Sequence, residues 1–529
     1  MSETDFDIIV VGLGCAGAVA AYTAASAGKS VLVVERGNFA GAKNMTGGRI
    51  YSHSLKEVFP DFESEAPLER KITHERIALM DPASQTAVDF TSPELAEEGK
   101  DSYSVLRAPF DQWLASKAED AGAEYICGIA VEELLRRVRQ VVGVRAGEDE
   151  ITAEATIVAE GVNSLLCERS LGNPRPKPPR WPSGSSRCSS CRADDRGPLP
   201  GAGGRGAAML FVGDCTHGKV GGGFLYTNKD SISLGLVATI STAMDASNPH
   251  PVYQMLEDFK NHPAVAPIIR GAKVVEHSGH MVPEGGYNMI PKYVFDGCLV
   301  AGETAGLCMN MGYQVRGMDF AVASGRMAGE AAVEAIDKGD VSEAGLSSYR
   351  TKMEAPSSSR TSRPSPSGPT SWRLGPHVHR VPGHGQGRLQ HHVQRGRKTP
   401  EAADEAHDAH REAARAVQAR QGSERRGEGP MSGICDITVN VDEFLAIDKY
   451  EVDEESAHIE LADDPDIEEF KKLVRVCPAA LYKIDENGAT SFDYAGCLEC
   501  GTCRIACGDT IVKKWENPQP TMGVEYRFG

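Results

Sequence analysis

Residues 8–35 constrain the fold more than any other part of the chain, because two apolar runs enclose a glycine-rich turn. The runs Ile8-Ile9-Val10-Val11 and Val31-Leu32-Val33-Val34 are typical of buried parallel strands. Gly12-x-Gly14-x-x-Gly17 and an alanine-rich helix lie between them, and Glu35 follows the second run. The glycines permit a tight turn and the close approach of a pyrophosphate, while the acid can accept a hydrogen bond from a ribose. The pattern predicts a dinucleotide-binding βαβ unit, with Gly12, Gly14, Gly17, Glu35 and Arg36 as candidate cofactor contacts.

A second strand-and-helix pattern, near residue 300, favours FAD over NAD. The run Leu299-Val300-Ala301 ends in Gly302 and Glu303, and Gly317 opens a helix rich in small residues. In flavoproteins with two dinucleotide-binding halves, such an acid bonds the ribityl chain. The helix N-terminus there faces the pyrimidine edge of the flavin, where its dipole favours the reduced, anionic form. The further candidate FAD contacts are Gly302, Glu303, Gly317 and Met318.

Two other segments resemble FAD-dependent hydroxylase-like enzymes. Residues 156–164 resemble their strand with a following acid-Gly-x-x-Ser segment, although Glu160 replaces the usual Asp before Gly161. Arg107 resembles the arginine that these enzymes place near the cofactor diphosphate. An arginine at the exposed start of a helix is the alternative interpretation. We therefore add Gly161 and Arg107 to the candidate FAD contacts.

The region between the two halves predicts a second sheet. Gly221–Tyr226 is a glycine-rich strand, and Ser231–Val237 alternates as a half-buried strand does. The two together predict a hairpin of an antiparallel sheet in a substrate domain. His217 and Asp214 lie nearby and are candidates for acid–base chemistry, but solvated loop residues are the simpler interpretation.

Three cysteines near the C-terminus, Cys497, Cys500 and Cys503, are each separated by two residues. This spacing suits three corners of an iron–sulfur cubane, whereas a zinc site usually combines one Cys-x-x-Cys pair with a distant second pair. Two residues could be the fourth ligand, Cys477 before Pro478 and Cys507 before Gly508. In two-cluster bacterial ferredoxins, the cysteine three residues beyond the triple, typically followed by proline, serves the other cluster. Because the only Cys-Pro here is at Cys477 and no second triple exists, we predict one [4Fe–4S] cluster on Cys477, Cys497, Cys500 and Cys503, with Cys507 as a free thiol.

The chain around these cysteines contains two recognisable elements. Residues 470–476 predict a short helix before Cys477. Residues 481–484 and 490–492 predict a hairpin with an Asn-Gly turn.

Charge and composition exclude some classes of protein. The formal net charge of −18 makes nucleic acid an unsuitable partner. No run approaches the roughly 18 apolar residues of a membrane span. Fourteen cysteines without a secretory signal favour a reducing compartment. We expect a cytoplasmic protein, with peripheral contact to the inner face of the cell membrane as an open possibility.

Two segments have a composition unlike the rest of the chain. Residues 173–206 contain seven prolines and six arginines, and residues 355–430 contain twelve arginines and seven histidines. Both lack Ile, Phe, Tyr and Met, so they cannot bury enough apolar surface to offset their ordering entropy. They are either flexible linkers or stretches read out of frame, and we favour the second hypothesis. An intact reading frame on resequencing the gene would refute it.

The motifs at 12–17, 41–48, 221–237 and 302–303 resemble the FixC branch of the electron-transfer flavoprotein:quinone oxidoreductase family. Residues 431–529 resemble the ferredoxin-like FixX family, through 492–503 and the ending 523–529. The resemblance implies that FAD takes electrons from an electron-transfer flavoprotein of the FixA/FixB type and delivers them to a quinone, with the cluster as relay. It also implies a role in an electron-bifurcating complex that supports nitrogen fixation. No catalytic side chain is implied, because such a protein controls electron transfer through electrostatics.

Two alternatives share parts of this pattern. One is a flavin-dependent monooxygenase or geranylgeranyl-reductase-like enzyme with an appended ferredoxin. The other is a stand-alone ferredoxin carrier whose gene has been joined in error to its neighbour.

The predicted fold class is α/β (α+β). We expect an FAD-binding Rossmann-type domain with two dinucleotide halves, an antiparallel substrate-domain sheet and a small C-terminal ferredoxin-like [4Fe–4S] module. The expected divisions are 1–172 and 296–354 for the FAD-binding domain, 207–295 for the substrate or quinone domain, 431–529 for the ferredoxin-like domain, and 173–206 and 355–430 for the anomalous segments.

Overall fold

The computed structural model describes most of the chain outside the anomalous segments. The described residues are 4–45, 48–175, 205–284, 286–310, 315–355 and 439–529, with the backbone of 182–190. They belong to one compact unit, in which the C-terminal module (residues 439–529) packs against the N-terminal part. Apart from 173–175, the backbone of 182–190, 205–206 and residue 355, the predictions for 173–206 and 355–430 lie outside the described residues.

The elements are numbered in chain order. The strands are β1 (Phe6–Val11), β2 (Val31–Glu35), β3 (Arg49–Tyr51), β4 (Leu68–Met80), β5 (Gln85–Thr91), β6 (Ser102–Val105), β7 (Glu124–Cys127), β8 (Glu133–Arg137), β9 (Gln140–Ala146), β10 (Asp149–Val158), β11 (Pro182–Ser190), β12 (Arg205–Gly213), β13 (Gly221–Thr227), β14 (Ser231–Thr239), β15 (Lys273–Met281), β16 (Val294–Phe295), β17 (Cys298–Val300), β18 (Met309–Asn310), β19 (Val315–Arg316), β20 (Lys449–Glu451), β21 (Ile459–Leu461), β22 (Tyr482–Ile484), β23 (Thr490–Phe492), β24 (Val512–Trp515) and β25 (Gly523–Glu525). The α-helices are α1 (Cys15–Ser26), α2 (Ser52–Val58), α3 (Phe62–Glu65), α4 (Arg107–Asp120), α5 (Leu165–Leu171), α6 (Ile240–Ala243), α7 (Val252–Asn261), α8 (Met318–Asp337), α9 (Ser348–Glu354), α10 (Val441–Leu445), α11 (Ile467–Val476) and α12 (Thr502–Cys507).

The first sheet is the predicted dinucleotide-binding sheet. Six of its eight strands lie in the order β16-β17-β10-β1-β2-β7, with parallel neighbours except at the edge pair β16–β17. Strand β9 pairs antiparallel with β10 and with β8. The apolar residues of β1 are fully buried between β10 and β2, as expected for a strand covered on both faces. Helices α1 and α8 pack against each other, so the two predicted halves meet directly. The Rossmann-type α/β prediction is confirmed.

The second sheet has nine strands and contains the predicted hairpin as β13 and β14, paired antiparallel. Its order is β15-β11-β14-β13-β12-β4-β6-β3, with β5 on β4. The predicted antiparallel sheet is present, with one departure, because β12 runs parallel to β4. These strands are far apart in sequence, so their pairing follows from the fold and leaves no local pattern.

One strand of this sheet comes from an anomalous segment. The backbone of β11 lies between β14 and β15 and pairs antiparallel with both. The sequence of β11 has no apolar alternation that would predict a strand. Its position therefore depends on the two neighbouring strands.

The C-terminal module contains α10, α11, α12 and three two-stranded ladders, β20–β25, β21–β24 and β22–β23. The predicted helix is α11, and the predicted hairpin is β22–β23. The module shares an apolar core with the N-terminal part, in which Val476 and Ile505 pack with Val162 and Met281. Each such side chain contributes about 1.5–3 kcal/mol on burial.

No helix among the described residues has both the length and the apolar character needed to cross a membrane.

The C-terminal tail is held by a buried carboxylate on β15. Glu276, which is 2% exposed, accepts hydrogen bonds from the backbone N–H groups of the last three residues. The donor distances are 2.7 Å from Arg527, 3.0 Å from Phe528 and 2.8 Å from Gly529. Burial raises the pKa of Glu276, and these donors partly oppose the increase. The tail also reaches the FAD half, because the carbonyl of Phe528 accepts from Ala108 N–H.

We expect Glu276→Ala to lower the free energy of unfolding by roughly 2–3 kcal/mol, because three backbone N–H groups, of which that of Gly529 is buried, lose their shared acceptor. Denaturant unfolding followed by circular dichroism measures the change. Glu486→Ala is the matched control, since Glu486 is exposed in the turn between β22 and β23. Equal stability of the two variants would contradict this assignment of Glu276.

Candidate functional site

The glycine motif packs backbone against backbone at the start of α1. A Cβ on Gly17 would lie 1.8 Å from the carbonyl oxygen of Gly12, so only glycine allows this turn. Gly14 is the N-cap of α1 and gives it no side-chain hydrogen bond. The first N–H groups of an α-helix have no partner within the helix and carry the positive end of its dipole. This end of α1 is therefore suited to an anionic group such as a pyrophosphate.

Glu35 organises the loop beside this helix terminus. Its Oε2 accepts from Leu13 N–H at 2.8 Å, and its Oε1 accepts from Gly37 N–H at 2.7 Å. A carboxylate has about four lone-pair positions, so Glu35 can still accept from ribose hydroxyls. The structure thus places Glu35 at the end of β2, where it holds the glycine loop, and its contact with a ribose stays a prediction.

Arg107 is the first residue of α4 and lies beside the glycine turn. Its guanidinium makes a two-point contact with Asp111, with Nε–Oδ1 at 3.0 Å and Nη2–Oδ2 at 2.8 Å. Burial lowers the pKa of Arg107, but the charge of Asp111 outweighs this effect and holds the pKa above its ordinary value. A Cβ on Gly14 would lie 3.6 Å from Nη2 of Arg107. This contact puts a fixed positive charge next to the start of α1, where the sequence predicts the cofactor diphosphate.

Glu303 lies just after β17, where the second half meets the first. Its Oε2 is 3.1 Å from Nε2 of His280. Burial raises the pKa of Glu303, but His280 and the charge of Arg107 together hold it below its ordinary value. The neighbouring Thr304 hydroxyl donates to the carbonyl of Gly161 at 3.1 Å. The structure therefore brings Arg107, Gly161 and Glu303 together although they are distant in sequence.

Helix α8 starts close to this group. Its N-cap, Gly317, supplies no side-chain hydrogen bond, and Met318 is its first residue. Within α8, the Ser324 hydroxyl accepts from Gly302 N–H at 3.0 Å, which ties the helix to the loop that carries Glu303. The predicted contacts Gly302, Gly317 and Met318 thus lie on neighbouring elements.

The four predicted cluster ligands are buried and close to one another. Cys477, Cys497, Cys500 and Cys503 are each 6–8% exposed. Burial raises the pKa of Cys503 to about 12, and the nearby Cys500 adds to the increase. Within the described part of the chain, no three of these sulfurs lie mutually within 4.8 Å. Four thiolates around a single zinc ion would be closer, at about 3.8 Å.

Cys507 has different surroundings. Its thiol faces the carbonyl of Glu469, with a Sγ–O distance of 3.5 Å. Burial raises its pKa to about 12, and the charge of Glu469 adds to this increase. The largest charge effects on that pKa come from Glu469 and Lys472, whereas Cys500 is among the largest charge effects on the pKa values of Cys477 and Cys503.

Sequence reasoning missed the role of Glu499, which lies between two predicted cluster ligands. Its carboxylate is buried, and it pairs with Arg36 at 2.7 Å and with Lys43 at 2.8 Å. Burial raises the pKa of Glu499, but the two cations hold it below its ordinary value. Arg36, a predicted cofactor contact, thus places its guanidinium on the cysteine loop. The apolar surroundings of a Glu in this loop would have signalled a need for cations, but not which ones.

The cysteine loop (residues 497–503) contacts the FAD half at two further points. Asn163, just beyond β10, donates from Nδ2 to the carbonyl of Glu499 at 3.1 Å. Gly501 has a positive φ of 77°, and a Cβ there would lie 2.1 Å from Oδ1 of Asn163. On β15, His277 Nε2 lies 3.3 Å from the carbonyl of Pro478, which follows the fourth predicted ligand. A Cβ on Gly279 of β15 would lie 3.3 Å from Cδ1 of Leu498, so the loop itself also lies beside the strand that presents His280 to Glu303.

Protein-family models match the N-terminal part of the chain. One described as FAD dependent oxidoreductase matches residues 7–165, and a second with the same description matches residues 101–331. The two ranges cover both halves of the candidate FAD site.

Curated relatives give a closer comparison. The protein FixC of Escherichia coli (strain K12) is 48% identical over 358 residues, covering 67% of this chain and 83% of the relative. The probable electron transfer flavoprotein-quinone oxidoreductase YdiS of the same strain is 46% identical over 360 residues, covering 67% and 82%.

Among solved structures, a geranylgeranyl bacteriochlorophyll reductase-like protein from Thermoplasma acidophilum has a TM-score of 0.55 at 19% identity, covering 65% of this chain and 82% of that one. This likeness supports the fold alone. Through its N-terminal 67%, the chain belongs to the family of FixC proteins and electron transfer flavoprotein-quinone oxidoreductases, and it is an FAD-dependent oxidoreductase.

Proposed function

We propose that this chain takes electrons from a reduced electron-transfer flavoprotein and delivers them to a quinone, using FAD and one [4Fe–4S] cluster. The observation that carries the proposal is the docking of the cysteine loop on the FAD half. Asn163 bonds the loop, and Gly161, two residues earlier, accepts from Thr304 next to Glu303. The two predicted redox sites are therefore joined by a few bonded residues.

The residues present fit FAD. The uncapped start of α1, the glycine turn and the buried cation of Arg107 suit a pyrophosphate, and Glu35 suits a ribose. When bound, the flavin would accept and release electrons singly or in pairs. Glu303, held ionised by His280, would accept hydrogen bonds from the ribityl hydroxyls. The N-terminus of α8 would favour negative charge on the flavin ring.

The C-terminal residues fit a cubane cluster. Four thiols are its usual donor set, and their spacing is wider than a single zinc ion requires. Glu499 N–H donates to Sγ of Cys497 at 3.3 Å, the kind of hydrogen bond that tunes a cluster. The buried hydroxyl of Tyr482 lies within hydrogen-bond reach of the Cys503 sulfur, and a cluster-bound thiolate there would accept from it.

The partners follow from the family and from the resemblance of the C-terminal module to FixX. We propose FixA/FixB-type flavoprotein subunits as electron donors, within a bifurcating complex that supports nitrogen fixation. The family name of the curated relatives supports the flavoprotein and the quinone. We further propose that the chain is cytoplasmic and contacts the membrane peripherally. At that contact it would reach a quinone dissolved in the membrane.

The alternatives explain less of the structure. A monooxygenase or geranylgeranyl-reductase-like enzyme needs no cysteine loop against its flavin half. A stand-alone carrier does not need Glu499 to be neutralised by Arg36 and Lys43, which lie more than 450 positions earlier in the chain.

We expect a quinone to reoxidise the flavin and the cluster together. The protein, reduced under anaerobic conditions, is mixed with a short-chain ubiquinone while flavin absorbance and the cluster EPR signal are recorded. NADPH alone should reduce the flavin slowly. Rapid reduction by NADPH without any electron-transfer flavoprotein would instead favour the monooxygenase or reductase alternative.

We expect Cys477→Ser to lose the cluster and Cys507→Ser to retain about four irons per chain. The two substitutions are matched, because both remove a buried thiol of the C-terminal module. Iron and acid-labile sulfide are measured after anaerobic purification. Loss of iron from the Cys507 variant with retention in the Cys477 variant would reverse the ligand assignment.

We expect Glu499→Gln to lower the free energy of unfolding by roughly 3 kcal/mol, because it leaves the largely buried Lys43 and the partly buried Arg36 without their carboxylate. The same change should raise the reduction potential of the cluster, since a negative charge beside it is removed. Denaturant unfolding and an EPR-monitored redox titration measure the two effects. Glu486→Gln on the exposed hairpin is the control, and matching behaviour of both variants would argue against a docking role for Glu499.

A further inference from the structure

Three potential metal ligands meet outside the sites described above. His217, His250 and Asp258 place one side-chain ligand atom each within 4.8 Å of one another, and all three side chains are half-buried. Nε2 of His217 is 2.7 Å from Oδ2 of Asp258. The imidazoles of His217 and His250 are stacked, with ring centroids 4.0 Å apart and an interplanar angle of 16°.

Each ligand is carried by a different element of the second sheet and its cover. His217 ends the turn between β12 and β13, His250 precedes α7, and Asp258 is within α7. The turn and the helix both pack against the apolar core that contains Phe211 and Phe259. A metal ion at this point would join the turn to the helix across the edge of that core.

The backbone around the ligands is fixed. His217 has a positive φ of 48°, a conformation unusual for a side chain with a Cβ, and its N–H donates to the carbonyl of Asp214. The buried Asn248 bonds the backbone of His250 in both directions, at 2.9 Å and 3.2 Å. The backbone positions of the two histidines are therefore set by the fold before any ion binds.

The carboxylate is oriented by a second residue. Gln254, one turn earlier on α7, donates from Nε2 to Oδ1 of Asp258 at 2.7 Å, which leaves Oδ2 facing the imidazoles. Metal-binding carboxylates and histidines commonly have such a supporting hydrogen bond. Two further charged residues lie nearby, the negative Asp214 and the positive Lys219. Their charges act in opposite directions at the site.

We propose that His217, His250 and Asp258 form a binding site for a transition-metal ion of the Zn²⁺ type, supported by Gln254. Two imidazoles and one carboxylate are a frequent ligand set for zinc, with a fourth position left to water. Magnesium and calcium prefer oxygen ligands and are excluded by the two nitrogens. The ion links the β12–β13 turn to α7 and stabilises the second sheet.

The test measures zinc and iron by elemental analysis in the full-length protein with its cofactors, after equilibration in a buffer of micromolar free Zn²⁺. His250→Ala and Asp258→Ala should each hold one zinc ion fewer than the native chain, with unchanged iron. The seven histidines of residues 355–430 are present in every sample, so any zinc they hold cancels in the difference.

His74→Ala is the matched control. Nε2 of His74 is also 2.7 Å from an aspartate, Asp89, but Arg76 occupies the same carboxylate. This variant should retain the zinc content of the native chain. Zn²⁺ should also raise the Tm of the native chain and of the control, but not that of His250→Ala, because only binding to the folded state stabilises it.

Equal zinc content in the native chain and in both ligand variants, with equal Tm shifts, would overturn the proposal. A rise in the Tm of the native chain with Mg²⁺ equal to the rise with Zn²⁺ would also overturn the proposal. If a ligand variant loses its flavin absorbance and so does not fold, Gln254→Ala decides the question. It keeps all three ligands and should weaken zinc binding about tenfold, and unchanged binding would refute the site.

Discussion

The buried carboxylate of Glu499 is the interaction on which the arrangement of the two halves depends. A lone carboxylate in an apolar loop is strongly unfavourable, so it requires cations within reach. Arg36 and Lys43 supply them from the loops after β2, and Lys43 also donates to the carbonyls of Met522 and Val524. The cysteine loop is therefore buried at the position on the FAD half where both charges meet their partner.

Strand β15 connects the cysteine region to the C-terminal tail and to the candidate FAD site. Along nine residues it holds the C-terminal tail through Glu276, contacts the residue after Cys477 through His277, and presents His280 to Glu303. Because a strand is stiff and its neighbours fix it on the sheet, a shift at the cysteine loop would move the partner of Glu303 as well. The candidate flavin and cluster sites are thus held by the same backbone segment.

The sequence predicted the elements whose pattern is local. The βαβ unit, the β13–β14 hairpin and the β22–β23 hairpin each follow from apolar periodicity and from glycine or Asn-Gly turns within about 30 residues. The parallel pairing of β4 with β12, the placement of β11 and the contact of Arg36 with Glu499 were not predicted. Each joins segments far apart in the chain, and such contacts depend on topology and on burial of charge, which leave no periodic signal in the sequence.

The burial of the cysteine loop bears on how electrons would leave this protein. A free carrier must present its cluster to several partners in turn, which favours an exposed ligand loop. Here all four predicted ligands are at most 8% exposed, and the loop is covered by Asn163, by β15 and by the C-terminal tail. Asn163 already contacts this loop from within the chain, at a point that a mobile partner would have to uncover. The arrangement therefore fits the proposed electron transfer between flavin and cluster inside one polypeptide.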